Sequence, residues 1–232
     1  MNTLSSLRSR RGEHAAPRGT EWSEYAANST YARRPDAVGH REGSAVRRTT
    51  WPRLRIVHRL DKETSGLVVF ARSVLAEREL GLQFRKHTVI RRYLTVVPGI
   101  LTPRTIKSRL VSDRGDGRRG STTLPDVGKE ATTHVAIEER LPGYTQLSCR
   151  LETGRTHQIR IHLSEAGHPV CGDKVYTRKR DGTNYEDNSG APRLALHAIE
   201  LGFTHPATEA ALHWSMPLPG DLAKFVAKLR KT

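Results

Sequence analysis

The sequence contains only two cysteines in 232 residues, and it has no long hydrophobic run. Cys149 and Cys171 lie in separate sequence contexts, so neither a disulfide framework nor a zinc ribbon is expected. No apolar stretch approaches the roughly 20 residues that a membrane-spanning helix needs, and the mean hydropathy is -0.59. We therefore expect a protein of the reducing cytoplasm without a membrane partner.

Acidic residues are also few, since 24 Asp and Glu stand against 39 Lys and Arg, which gives a net charge of +15. An excess of this size fits a polyanionic partner, and the alternative is a surface that is merely solubilising. Because no basic amphipathic helix is evident, nucleic acid is favoured over a membrane surface.

Large aliphatic side chains are scarce in residues 1–50, which contain nine Arg and no Lys. This stretch has too little apolar area to offset the cost of ordering it, so we expect a disordered basic N-terminal segment. The remainder, residues 51–232, is long enough for one domain with its own core.

Strand and helix signals alternate from about Ile56 onward. The apolar run GLVVFA at 66–71 is typical of a buried strand, because it is short and rich in β-branched and aromatic residues. Ser73 is expected to cap a helix that ends near Lys86.

Further along the chain, RYLTVVPG at 92–99 predicts a strand, and the alternation in 145–151 predicts a half-buried strand. The segment 102–130 is expected to be an exposed, partly structured excursion. THQIRIHLSEAG fits a strand or a helix, but Thr156 as N-cap and Gly167 beyond the last turn favour a helix of about three turns.

The C-terminal part predicts a polar loop at 174–193 and then two strands, LALHAIELGFTH and ALHWSMPL, joined by PATEA. The chain closes with an amphipathic helix whose apolar face comprises Leu222, Phe225, Val226 and Leu229.

A carboxylate stands among cations in HRLDKETSG, where Asp61 lies close to Arg59 and Lys62. Nearby cations keep a carboxylate ionised, so Asp61 could act as a nucleophile or a base. The alternative is an ordinary ion-pair cluster in a surface loop. A kinase catalytic loop is excluded, because Leu60 interrupts the HRD order and Gly66 stands where that motif needs Asn.

Three histidines and two arginines occur in ETGRTHQIRIHLSEAGHPVCGD, namely His157, His162, His168, Arg155 and Arg160. On a helix, residues five apart diverge by about 140°, which disfavours a metal site. We expect the histidines to make helix-end hydrogen bonds and packing contacts. For the same reason, at most one of the two arginines is expected to face the carboxylate of the first motif.

Five segments stand in the order and approximate spacing of the RluA-type pseudouridine synthases: HRLDKETSGLVVFAR, RYLTVVPG, GKEATTH, ETGRTHQIRIHLSEAGHPVCGD and RLALHAIELGFTHP. HRLD followed by TSG, with GRTHQIR about 95 residues later, is a specific combination. The chain resembles that family over roughly residues 56–218.

The resemblance implies an α+β fold, with a mixed, mainly antiparallel sheet, flanking helices and a central cleft. It implies an isomerase that converts specific uridines to pseudouridine in structured ribosomal or transfer RNA. This reaction breaks the N1–C1′ bond and joins C5 to C1′, so we expect no cofactor and no metal. We expect the protein to act as a monomer.

The resemblance also assigns roles to three residues: Asp61 is the essential carboxylate, Tyr93 lies at the target base, and Arg160 is the partner of Asp61. The chemistry agrees, because a carboxylate can attack the sugar or remove a sugar proton. A tyrosine ring can hold the detached base. An arginine can orient a carboxylate through a bidentate pair.

RNA contacts are expected at Arg59, Lys62, Arg155 and His157. The target nucleotide must be flipped out of its stack, and Arg59 could fill the vacated space or bind a phosphate. The family's N-K-P-x-G segment before HRLD is not found in residues 1–50. The alternative function is therefore a catalytically impaired RNA-binding protein of the same fold.

Overall fold

The computed structural model describes residues 53–177 and 183–231. The basic segment expected at 1–50 and the middle of the polar loop at 174–193 lie outside the described residues. Three helices occur in the described part, and their bounds are Val74–Arg85 (α1), Gln158–Glu165 (α2) and Gly220–Leu229 (α3).

Ten strands occur in the same part of the chain: Arg55–Ile56 (β1), Ser65–Gly66 (β2), Phe70–Ala71 (β3), Ile90–Pro98 (β4), Arg104–Val111 (β5), Gly120–Thr122 (β6), Lys129–Leu141 (β7), Tyr144–Leu151 (β8), Leu196–Thr204 (β9) and Ala211–Ser215 (β10). Strands β1 and β3 form a small antiparallel ribbon. The main sheet has the order β10-β9-β4-β8-β7-β5-β6, and β2 pairs in parallel with β9. All other pairs in the main sheet are antiparallel, which confirms the expected α+β class.

Strand β8 is more buried than its alternating sequence predicts. Gln146 and Ser148 are buried as well as Leu147 and Cys149, so the expectation of a half-buried strand is wrong. The reason is tertiary, because β8 lies inside the sheet between β4 and β7. The polar side chains of its second face are covered by neighbouring elements, and Gln146 borders the apolar face of α3.

The apolar run GLVVFA does not form the expected buried strand. It contributes only Gly66 of β2 and the two residues of β3, and Val68 and Phe70 are 39% and 44% exposed. The backbone N–H of Val69 donates to His58 Nε2 at 3.0 Å and not to a neighbouring strand. A side chain of the HRLD motif thus interrupts the strand pairing.

Helices α1 and α3 agree with the sequence, and α2 only in part. The Ser73 hydroxyl accepts from Ala76 N at 3.1 Å, as an N-cap does, and the whole predicted apolar face of α3 is buried. Helix α2 is shorter than three turns and starts after His157, so Thr156 is not its N-cap. Gly167 has φ +88 just beyond the helix, as predicted.

Candidate active site

A cavity of about 620 Å³ lies where the HRLD loop, α1, β4 and the turn before α2 meet. Asp61, Tyr93, His157, Arg59 and Arg155 all line it, although they are far apart in sequence. Lys62 is exposed and lies outside this lining. The volume falls within the range of about 300–1,000 Å³ that is typical of small-molecule pockets.

The loop between β1 and β2 holds Asp61 over the sheet. Thr64 N–H donates to the Asp61 carbonyl at 3.0 Å and closes a turn. Gly66, with φ +121, follows in β2, and a β-carbon on it would collide with the backbone of Ala198 in β9. Glycine therefore permits the close parallel pairing that fixes the Asp61 loop to the sheet.

Arg160 lies close to Asp61 but is paired with another carboxylate. Its Nε and Nη2 donate to Asp173 at 2.7 and 2.9 Å, whereas Nη1 is 3.6 Å from Asp61 Oδ2. The expected bidentate pair with Asp61 is therefore wrong, because Asp173 already occupies the fork. A single nitrogen remains for Asp61, so Arg160 supplies an oriented charge beside it.

Asp173 is the residue that the sequence reasoning missed. Its side chain is fully buried, and it also accepts from the N–H groups of Val175 and Tyr176 at 2.8 and 3.0 Å. Burial by itself raises the pKa of Asp173, but the Arg160 guanidinium and these N–H groups hold the pKa below its usual value. The only sequence signal is that Asp173 ends the GHPVCGD segment.

His157 lies at the start of α2 and makes the expected helix-end hydrogen bond and packing contact, both with Tyr176, and it also faces the cavity. Its φ of +58 is left-handed, which costs a non-glycine residue on the order of 1 kcal/mol or more. Nδ1 lies 2.8 Å from the Tyr176 hydroxyl, and Nε2 lies 3.9 Å from Asp61 Oδ1. Burial lowers the pKa of His157, while the charge of Asp61 acts in the opposite direction. Because its pKa is lowered, His157 presents a neutral imidazole beside Asp61 at neutral pH.

The other two histidines have packing roles, as expected. His162 lies between the hydroxyls of Ser108 and Thr133, each at 2.9 Å, and burial lowers its pKa to about 4. His168 Nδ1 is 2.8 Å from the Pro98 carbonyl. Among the described residues, no group of three or more His, Cys, Asp or Glu side chains is arranged for a metal ion.

Gln158 fixes the turn that presents His157 and Arg155. The side chain is buried, and its Oε1 accepts from Thr153 Oγ1 and Arg155 N at 2.7 and 3.0 Å. Its Nε2 donates to Thr132 O and Thr133 Oγ1 of β7, both at 3.0 Å. This set of four hydrogen bonds holds residues 153–157 as a turn on β7, and α2 therefore begins only at Gln158.

Tyr93 lies on the central strand β4, between β8 and β9, and is only 8% exposed. The register with β9 shifts between Arg92 and Tyr93, so a bulge adjoins the cavity. Burial raises the pKa of Tyr93 to about 12, with Arg91 and Asp61 acting in opposite directions. The hydroxyl is therefore a neutral phenol at neutral pH.

His58, the first residue of HRLD, supports the same cavity. Its ring stacks on Phe84 of α1 with the centroids 4.5 Å apart, while Nε2 accepts from Val69 N–H. Burial and the nearby Arg91 lower the pKa of His58 to about 4, so the ring stays neutral. The motif thus supplies a packing residue at His58 and an open carboxylate at Asp61.

Solved structures of two human proteins have the same architecture. RNA pseudouridylate synthase domain containing 4 superposes with a TM-score of 0.64 at 23% identity and covers 76% of each chain. RNA pseudouridylate synthase domain containing 1 gives a TM-score of 0.60 at 25% identity, covering 78% of this chain and 82% of that one. The fold is that of a pseudouridine synthase domain.

The sequence comparisons define the family. A family model described as RNA pseudouridylate synthase matches residues 35–165. The ribosomal large subunit pseudouridine synthase D of Nitrosomonas europaea is 42% identical over 180 residues, which are 77% of this chain and 52% of the relative. An uncharacterized RNA pseudouridine synthase of Bacillus subtilis is 41% identical over 178 residues, or 76% of this chain and 56% of the relative. This chain belongs to the RNA pseudouridylate synthase family, and it spans about half the length of the curated relatives that it matches.

Within the described part of the chain, no helix is both long and apolar enough to cross a membrane.

Proposed function

We propose that this chain isomerises uridine to pseudouridine in RNA, with Asp61 as the catalytic carboxylate. One observation carries the proposal: the Asp61 side chain lines a cavity with a buried tyrosine, and a buried guanidinium stands 3.6 Å from its Oδ2. None of the described residues donates a hydrogen bond to the Asp61 carboxylate, and the nitrogens of Arg160 and His157 lie 3.6 and 3.9 Å from its oxygens. Its oxygens are therefore available to a substrate.

The reaction needs few chemical groups, and the cavity offers them. The N1–C1′ bond breaks, the uracil turns, the C5–C1′ bond forms, and the C5 proton is replaced by a proton on N1. Asp61 can attack C1′ or remove a sugar proton, and both routes remain open. The Tyr93 ring supplies a surface for the detached base, while its neutral hydroxyl can donate or accept a hydrogen bond.

The net positive charge and the cationic side chains at the cavity support an RNA substrate. Arg59 and Arg155 line the cavity. Lys62 directly follows Asp61 in the sequence and is exposed. We infer that these three residues and His157 contact RNA. A base in a helical stack reaches Asp61 only after flipping, which costs about a few kcal/mol and is offset by phosphate contacts. The names of the relatives favour ribosomal RNA over transfer RNA.

The direct test is tritium release from RNA that carries C5-tritiated uridine, because C5 loses its hydrogen when it bonds to C1′. We expect release from unmodified large-subunit ribosomal RNA, with pseudouridine mapped at the reacting position. Tight RNA binding without release from ribosomal or transfer RNA would contradict the proposal and favour the impaired RNA-binding protein.

We expect Tyr93→Phe to lower the isomerisation rate by about 100-fold, because a positioned hydroxyl involved in proton transfer contributes at least that much. RNA binding should be retained, since the ring remains. Single-turnover rates at saturating RNA measure the effect, and Tyr144→Phe, a change in a strand tyrosine outside the cavity lining, is the control. Full activity of Tyr93→Phe together with an inactive Tyr93→Leu would assign the role to the ring alone.

Arg160→Lys is expected to lower the isomerisation rate by about 100-fold, because a misplacement of a catalytic group by about 1 Å can cost that much. An ammonium cannot donate twice to Asp173 and also face Asp61. Arg155→Lys is the matched control. We expect it to lower the isomerisation rate by less than about fivefold, because Arg155 donates one hydrogen bond to the Glu130 carbonyl, which a lysine ammonium can also donate. Equal losses in the same single-turnover assay would contradict the role of Arg160.

A further inference from the structure

Arg91 is a buried cation whose hydrogen-bonding capacity is only partly used. It lies two residues before Tyr93 on β4, is 7% exposed and lines the same cavity. Nη2 donates to the Glu152 carbonyl at 2.9 Å, and the guanidinium carbon lies 5.6 Å from the centre of the Phe84 ring. Nε has no hydrogen-bond partner among the described residues. Buried guanidinium nitrogens are normally satisfied, so Arg91 has unused donor capacity, and Nη1 also makes no hydrogen bond among the described residues.

No carboxylate of the described residues forms an ion pair with Arg91. Its neighbour Arg92, on the other face of the strand, pairs with both Glu138 and Glu200. Burial lowers the pKa of Arg91, Tyr93 acts in the opposite direction, and the nearby Arg155 lowers the pKa again. A buried charge without a counter-ion is unfavourable, which means that the site lacks a negative group.

The surroundings of Arg91 add to the positive charge. Arg85 and Arg155 line the same cavity, and the charge of Arg91 adds to burial in lowering the pKa values of His58 and His87. Cationic residues thus converge on a partly open space. This arrangement is suited to an anion with several oxygen atoms.

Gly154 makes the space in which the guanidinium lies. A β-carbon built on Gly154 would collide with Nη1 of Arg91. The backbone of Gly154 is not left-handed, so conformation does not require glycine there. Gly154 thus leaves room for the guanidinium of Arg91 beside the GRTHQ turn, and a larger residue there would displace it.

We propose that Arg91, together with Arg155, binds a backbone phosphate of the RNA strand that enters the cavity. The inference rests on the proposed function for the identity of the strand. The ligand is a phosphate group that carries a negative charge, and free inorganic phosphate is the other source of such a group. The phosphate accepts from Nη1, which makes no hydrogen bond among the described residues, and it holds the strand while the uridine lies between Asp61 and Tyr93.

The test compares Arg91→Gln with Arg92→Gln, which removes the same charge from the ion-paired neighbour. The probe is a 20-nucleotide oligouridylate, because a single strand reaches the cavity without unpairing. We expect Arg91→Gln to weaken binding by about tenfold near 0.15 M salt and to reduce the salt slope by about 0.7, which corresponds to one phosphate. Arg92→Gln should stay within about threefold of the wild-type affinity. Equal effects of the two variants would overturn the proposal.

Inorganic phosphate distinguishes the two sources of the anion. At matched ionic strength, phosphate in place of chloride should raise the melting temperature of the wild-type protein but not that of Arg91→Gln. Phosphate could stabilise only the wild type while RNA affinity depends on salt equally in the wild type and Arg91→Gln. In that case the site binds free phosphate and the RNA assignment is wrong. If neither response depends on Arg91, the anion site itself is wrong.

Gly154→Ala keeps the proposal testable if Arg91→Gln does not fold. This change retains the charge but displaces the guanidinium, and we expect the same loss of affinity and of salt slope. Wild-type binding by Gly154→Ala would overturn the proposal. These assays measure binding alone, so an absence of tritium release with an intact Arg91 effect would contradict the isomerase function and not this inference.

Discussion

Asp61→Asn is expected to abolish turnover, with tritium release below detection. The change keeps the size of the side chain and removes the charge, so neither attack on C1′ nor removal of a sugar proton remains possible. RNA affinity should change by less than about tenfold, which is 1.4 kcal/mol, because the cationic contacts are untouched. Tritium release and equilibrium binding of the same RNA measure the two effects separately.

Glu63→Gln is the matched control for Asp61→Asn. Glu63 lies in the same loop, is exposed and does not line the cavity, so wild-type turnover is expected. If Asp61→Asn retains turnover near that of the wild type, the catalytic carboxylate lies elsewhere. If RNA binding is lost along with turnover, the variant reports a misfolded loop and the catalytic role of Asp61 needs a second substitution, Asp61→Ala, to be judged.

Asp173→Asn is expected to cause the largest loss of stability, about 3 kcal/mol, because it leaves the buried Arg160 without its carboxylate. For a domain of this size, the melting temperature should fall by about 6–12 °C. Turnover at temperatures where the variant is folded should fall as well, since Arg160 loses the partner that orients Nη1 toward Asp61.

The pH dependence of stability tests the same residue. The pKa of Asp173 is held below its usual value in the folded protein, so its contribution is present above about pH 4 and is lost as pH falls through the folded pKa. The difference in unfolding free energy between the wild type and Asp173→Asn should therefore be constant at neutral pH and shrink in acid. A difference that grows in acid would contradict an ionised Asp173.

Asp221→Asn is the control for this effect. Arg193 donates to Asp221 at 2.6 and 3.2 Å, which repeats the bidentate geometry at an exposed position. Solvent-exposed pairs contribute little, so the melting temperature should change by only a few degrees. If Asp173→Asn and Asp221→Asn lower the melting temperature equally, burial of the Arg160–Asp173 pair does not increase its contribution to stability.

Local signals in the sequence were sufficient to predict the features that are formed by residues close together in the chain. The Ser73 cap, the glycine after α2 and the apolar face of α3 depend on residues within a few positions of one another, and the structure confirms all three. The order of the motifs likewise indicated the family, because each motif is specific and their spacing restricts the alternatives.

Contacts between distant segments decided the rest. Arg160 pairs with Asp173 because α2 packs against the following loop, and nothing in the spacing of Asp61 and Arg160 shows that a second carboxylate competes for the guanidinium. The burial of Gln146 and Ser148 follows from the central position of β8, and the interruption of GLVVFA follows from one hydrogen bond of His58.

The sequence by itself determined the family, the charge and the residue types of the candidate site. Only the tertiary structure decided which cations are already neutralised and which remain open to a ligand. Arg91 and Arg92 are adjacent and identical in sequence, yet one is ion-paired at the surface and the other is buried without a carboxylate among the described residues. The physical reason is that a strand directs consecutive side chains to opposite faces, and what covers each face is set by parts of the chain far away in sequence.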